Sequence, residues 1–196
     1  MAIIMGVSGD QGSFSEEATL LYAKQKGIHP ILHYLIDMEG VLSALEQQTI
    51  ELGILPVVNL QSGLVKPAFE AMGRHLFHPI DELWLHVRQC LLVLPGTTCQ
   101  QITNIVSHPQ GLAQCKHYLQ KKFKGVVLHE WCDTAKAAKD LAEGVFAADT
   151  AVIAPERSAK LYGLDVLARE IQDSNSNLTA FILVKHRRIL CSRLNI

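Results

Sequence analysis

The stretch Ser107-His108-Pro109-Gln110-Gly111-Leu112-Ala113-Gln114-Cys115 constrains the fold of this chain more than any other. It follows an apolar run at 102–106, which reads as a short strand, and opens a helical pattern that reaches about Phe123. Pro109 suits the first turn of a helix, where a missing N–H removes no hydrogen bond. Ser107 or His108 then falls at the N-cap, with a side chain able to hold the free amides. Gln114 lies inside the helix. A strand end that feeds a helix N-terminus is where open α/β sheets place ligands. A well-capped helix with no further role accounts for the same residues.

The rest of the chain repeats this strand-then-helix grammar. Residues 3–7 read as a strand, followed by Gly6, Gly9 and Gly12 and then Ser13-Phe14-Ser15-Glu16-Glu17-Ala18. Ser13 or Ser15 can cap, and Glu16 and Glu17 suit a first helical turn. Strands are expected at 33–36 and 52–57, with Asp37 capping a helix between them that runs to about Gln48. Residues 66–72 read as helix. Residues 75–87 are mixed and are expected to cross between two lobes, with His75, His78 and His86 at the surface or satisfied in the core. Further strands are expected at 88–94, 126–129, 150–154, 165–170 and 181–185. Asp133 caps an Ala-rich helix, and Pro155 starts another that ends at Gly163. Alternation of this kind defines the α/β class.

The chain has 196 residues and a net charge of −1, and 48% of its residues are hydrophobic, so it can bury a sizeable core and is not a disordered chain. The absence of a basic excess argues against nucleic acid, and no apolar run is long enough for a membrane span. Residues 1–5 lack a basic leader, so no signal peptide is expected. Cys90, Cys99, Cys115, Cys132 and Cys191 form no CxxC pair, which suits a reduced, cytoplasmic protein. Cys115-Lys116-His117 is too weak a pattern to carry a metal site.

Four motifs, spread over nearly the whole chain, resemble those of prephenate dehydratases. They are the Ser107–Cys115 stretch, Gly9 to Ala18, Gly53 to Gly63, and Asn177-Leu178-Thr179-Ala180-Phe181. The resemblance implies a two-lobed periplasmic-binding-protein-like fold of type II with a central cleft. Lobe 1 is expected to hold 1–76 plus 152–196, and lobe 2 to hold 77–151. The family's C-terminal regulatory ACT domain is expected to be missing. The implied activity converts prephenate to phenylpyruvate with loss of carbon dioxide and water, in phenylalanine biosynthesis, by a carbon–oxygen lyase. It needs no cofactor and no metal, and its partners are a small-molecule substrate and a second copy of the chain, with neither nucleic acid nor membrane.

The resemblance also implies residue roles. Thr179 is the candidate catalytic donor to the departing hydroxyl group. Asn59, Ser107, Gln114, Ser13 and Asn177 are the candidate substrate-binding residues. Three positions depart from the pattern: Val58 stands for Glu, Leu60 for Ser and Ala180 for Arg. A charge-assisted hydrogen bond contributes about 1.5–3 kcal/mol, so losing the Arg is expected to cost roughly ten- to a hundredfold in affinity or rate. Arg74, Arg88, Lys136 and Arg157 are candidates to compensate. A prephenate decarboxylase, or a non-catalytic ligand-binding relative, remains compatible with these departures.

Overall fold

The structure is a computed structural model that describes residues 2–187. The first sheet begins with β1 (Ala2–Ser8), which runs parallel to β2 (His29–Leu35) and to β3 (Leu52–Asn59). Two longer strands, β5 (Phe77–His86) and β11 (Leu178–His186), complete it in the order β2-β1-β3-β11-β5, with the short β4 (Gly63–Leu64) hanging from β3. Helix α1 (Phe14–Lys26) covers one face, where Met5, Ala18, Tyr22, Ile54 and Phe181 pack together. Helices α2 (Met38–Glu46) and α3 (Lys66–Met72) cover the other, around Val41, Leu45, Leu55, Ala71 and Val184. Each fully buried aliphatic or aromatic side chain of this kind contributes about 1.5–3 kcal/mol.

The second sheet has the order β10-β6-β9-β7-β8. Its strands are β6 (Cys90–Val93), β7 (Asn104–Ser107), β8 (Val127–Glu130), β9 (Thr150–Ala154) and β10 (Asp165–Ala168). Helices α6 (Thr134–Ala142) and α7 (Glu156–Tyr162) pack on one face, with Leu92, Val106, Ala138 and Val152 beneath them. Helices α4 (Pro109–Gln114) and α5 (Lys116–Lys122) pack on the other, over Leu91, Ile105, Cys115 and Ile153. Both lobes are therefore three-layered α/β units, as expected, and both carry parallel strand pairs sandwiched between helices.

The lobe boundaries differ from the expected ones. β5 pairs along its length with β11 and belongs to the first sheet, while β9 and β10 belong to the second. The chain thus leaves the first sheet after His86 and returns to it at Leu178. β5 is an edge strand with many exposed positions, so it reads as polar and irregular.

The helix expected from Pro109 to Phe123 is broken at Cys115, whose φ of −112° and ψ of 15° leave the helical region. The returning segment docks into this break. The Asp173 amide donates to the Gln114 carbonyl at 2.7 Å. The Asp173 carboxylate accepts the amides of His117 at 3.0 Å and Tyr118 at 3.2 Å. Cys90 and Cys115 are buried, Cys99 and Cys132 are exposed, and all four are free thiols. Cys191 and Arg188 lie outside the described residues.

Candidate functional site

Where the chain crosses between the sheets, side chains from both lobes form one continuous line of hydrogen bonds. Gln89 Nε2 donates to Gln114 Oε1 at 3.0 Å, and Asn177 Nδ2 donates to the same oxygen at 3.0 Å. Asn59 Nδ2 donates to Asn177 Oδ1 at 2.8 Å and to Thr179 Oγ1 at 2.9 Å. Asn59, Asn177, Thr179 and Gln89 are all buried, so each bond forms in a low-dielectric setting where geometry is held tightly.

Register explains why these residues meet. β3 and β11 are antiparallel, and Thr179 is the direct partner of Asn59. Directly opposed residues share a face of the sheet, with Cβ atoms about 4.5–5.5 Å apart. Asn177 lies just before β11, and its carbonyl accepts the Val87 amide at 2.8 Å. Gln114 comes from the second lobe, at the end of α4, where the break sets its direction.

The chain divides its members by task. Asn59 Oδ1 accepts the Gln61 and Ser62 amides at 2.9 and 3.0 Å, so with its Nδ2 bonds this side chain is saturated by protein. It positions Thr179 and leaves no group for a ligand. Thr179 receives a hydrogen bond on its oxygen, which leaves its own proton for another acceptor. Gln114 Nε2 makes only long contacts of 3.5 Å, to Ser62 Oγ and Asn177 Oδ1, which a ligand acceptor could replace. Beside this line lies a cavity of about 260 Å³, whose lining includes Ser62, Gln114, His117, Asp173 and Asn177.

Two of the expected substrate-binding residues stand elsewhere. Ser107 is fully buried, donates to the Ile153 carbonyl at 2.7 Å and packs against Gly111. It ties β7 to β9, and the N-cap is His108, whose Nδ1 accepts the Gln110 amide at 3.2 Å. Ser13 is the N-cap of α1, accepting the Glu16 amide at 3.2 Å. Its loop is locked to α7: Ser158 Oγ donates to the Gly12 carbonyl at 3.0 Å and Tyr162 Oη to the Gln11 carbonyl at 2.9 Å. Gln89, Ser62, His117 and Asp173 were not legible as site residues, because Ser62 holds an unspecified position of its motif, the other three sit in none, and a hinge segment has no periodicity.

Two of the three departures from the motif pattern, Val58 and Ala180, fall on one face. Ala180 is opposed by Val58 on β3 and by Trp84 on β5. Neighbouring residues of a strand point to opposite faces, so this apolar trio faces away from the Thr179 and Asn59 side chains. None of the four cations considered from sequence is unpaired. Arg74 bonds Glu39 at 2.8 Å, Arg88 meets Glu170 at 3.3 Å, Lys136 meets Asp140 at 2.5 Å and Arg157 meets Glu16 at 2.8 Å.

A family model described as prephenate dehydratase matches residues 5–189. Arogenate dehydratase/prephenate dehydratase 6, chloroplastic, of Arabidopsis thaliana is 39% identical over 152 residues, covering 78% of this chain and 37% of that protein. The chain thus spans well under half the length of this relative. Among solved structures, a prephenate dehydratase in complex with L-Phe from Arthrobacter aurescens has a TM-score of 0.83 at 24% identity, covering 96% of this chain and 62% of that one. A periplasmic substrate-binding protein of an ABC transporter from Coxiella burnetii has a TM-score of 0.52 at 17% identity, covering 95% and 85%. These two likenesses establish the two-lobed fold.

Proposed function

We propose that this chain, which belongs to the prephenate dehydratase family, binds prephenate or its amino counterpart arogenate between its lobes and eliminates carbon dioxide and the ring hydroxyl group. The observation that carries this reading is the Asn59–Thr179 bond of 2.9 Å, which fixes a hydroxyl donor at the end of a line joining both lobes. In the reaction the bond from ring carbon to carboxylate breaks and its electron pair enters the ring. The opposite carbon–oxygen bond breaks, and the leaving oxygen carries away the developing negative charge. Hydroxide leaves poorly without a donor, and Thr179 supplies that hydrogen bond, with the final proton coming from solvent. Aromatisation of the ring provides the driving force. Gln114 Nε2 is the second donor, free to meet a substrate oxygen.

A second reading, a ligand clamp without turnover, is favoured by the paired apolar residues Val58 and Ala180. One experiment separates the two. Purified protein is incubated with prephenate near neutral pH, and products are resolved by chromatography with mass detection against an enzyme-free control. Enzyme-dependent phenylpyruvate is the expected result. A dihydro-hydroxyphenylpyruvate would indicate decarboxylation alone. No product, with prephenate-dependent thermal stabilisation, would leave the ligand clamp.

A further inference from the structure

A dianionic substrate needs a cation. Position 180 holds Ala, and its side chain lies on the sheet face away from Thr179. Arg74, Arg88, Lys136 and Arg157 are each held by a carboxylate. Among the described residues, the cavity beside Gln114 and Asn177 has neither Lys nor Arg in its lining, and its single basic side chain is His117. His117 Nδ1 lies 2.9 Å from Asp173 Oδ2. The same carboxylate accepts the His117 and Tyr118 amides, so the imidazole is anchored to the helix break that also orients Gln114.

We propose that His117, oriented by Asp173, is the residue that recognises a substrate carboxylate in this cleft. The inference rests on the function proposed above and adds a cation where this chain has Ala180 in place of the pattern's Arg. With Nδ1 taken by Asp173, Nε2 is the ring nitrogen left for a ligand, and the protonated ring donates an N–H from it. Asp173, 2.9 Å from the ring, is the charged group facing the imidazole. Among the described residues the remaining lining side chains are uncharged, and α5 itself carries Lys116, Lys121 and Lys122. Burial pushes the Asp173 carboxyl up, but the two amides and the imidazole outweigh it and hold it below the usual carboxylate range. It therefore remains an anion at neutral pH and an acceptor for the imidazole. His117 is 83% exposed, so the attraction is screened and its effect is modest.

The test is calorimetric binding of prephenate, and of phenylpyruvate as a stable monocarboxylate, between about pH 6 and 8.5, where histidine is the side chain that changes charge. The wild-type protein is expected to weaken about fivefold across this range, whereas His117→Gln binds weakly at every pH and His117→Arg tightly at every pH. A pH dependence present in the wild type and absent from both variants is a change that a purely structural role would not produce. Unaltered affinity and pH profile in His117→Gln would overturn the inference while leaving the proposed function standing. A wild-type protein that neither binds nor converts prephenate would overturn the proposed function, and this inference with it.

Discussion

Ala180 lies directly across the β3–β11 ladder from Val58. These are the two positions where the resembled motifs carry Arg and Glu, and here both are apolar. Trp84, the neighbour of Ala180 on β5, extends the apolar surface. Ala180 is only 5% exposed, so Ala180→Arg alone is expected to destabilise the fold by about 1–3 kcal/mol through crowding and desolvation. Val58→Glu with Ala180→Arg should recover about 0.5–1 kcal/mol of this as a coupling energy, measured by denaturant titration of the four-member cycle. A coupling of zero would mean that the two side chains do not meet.

Loss of the Thr179 hydroxyl acts on the other face and has a different signature. Thr179→Val keeps the β-branched shape that suits a strand, and it strands one Asn59 N–H. Turnover of prephenate should fall at least about a hundredfold, while stability falls by only about 1–2 kcal/mol. Thr179→Ser should retain most of the activity. A steady-state comparison with parallel melting curves checks both. Undiminished turnover in Thr179→Val would remove this residue from the chemistry.

The contrast between Thr179 and Ser107 shows what the chain's residues reveal before folding. Thr179, Asn59, Asn177 and Gln114 lie in recognisable motifs and do converge. Ser107 lies in one too, yet its hydroxyl is taken by the Ile153 carbonyl. Which way a strand-end hydroxyl points depends on the neighbouring strand, and β9 arrives more than forty residues later. Asp173 is subtler still. Its role exists only because α4 and α5 separate at Cys115, a break for which the residues from Pro109 to Phe123 contain no internal proline or capping signal. The helix pattern and the strand pattern are local and readable; the docking of the hinge segment is not.

The lobes are also joined away from the hydrogen-bond line. Glu16 on α1 is buried, and its Oε1 accepts from Arg157 on α7 at 2.8 Å and from Tyr34 at 3.1 Å. Burial pushes the Glu16 carboxyl up, but Arg157, the Gly12 amide and Tyr34 together hold it below its ordinary value. Arg157→Ala should cost about 1–3 kcal/mol, at the low end for buried pairs because Arg157 is 44% exposed. Arg157→Ala with Glu16→Gln should recover part of the loss, since no buried charge is then left alone. Because the folded carboxyl titrates below its unfolded value, the stabilisation is complete above the unfolded value and disappears as pH falls through the folded one. Melting temperatures of wild type and Glu16→Gln should therefore converge in acid.

His75 sets the opposite pH dependence. Its Nε2 lies 2.7 Å from Glu39 Oε1, and its Nδ1 lies 3.0 Å from Glu46 Oε2, close enough for charge attraction though off the line of a hydrogen bond. Both carboxylates belong to α2, so the imidazole ties that helix to the segment entering β5. Burial pulls the His75 ring down, but Glu39 and Glu46 outweigh it and raise it above its ordinary value. A group raised in the folded state stabilises fully below its unfolded value, about 6.5 for histidine, and the gain is lost as pH climbs through the folded value. The melting-temperature gap between wild type and His75→Gln should accordingly be larger at about pH 6 than at about pH 8.5. Arg74 holds Glu39 and the Leu76 amide holds Glu46 in both proteins, so the comparison isolates the imidazole. A gap that stays constant, or widens with pH, would mean that His75 is neutral in the folded protein and that Glu39 acts only as its hydrogen-bond acceptor.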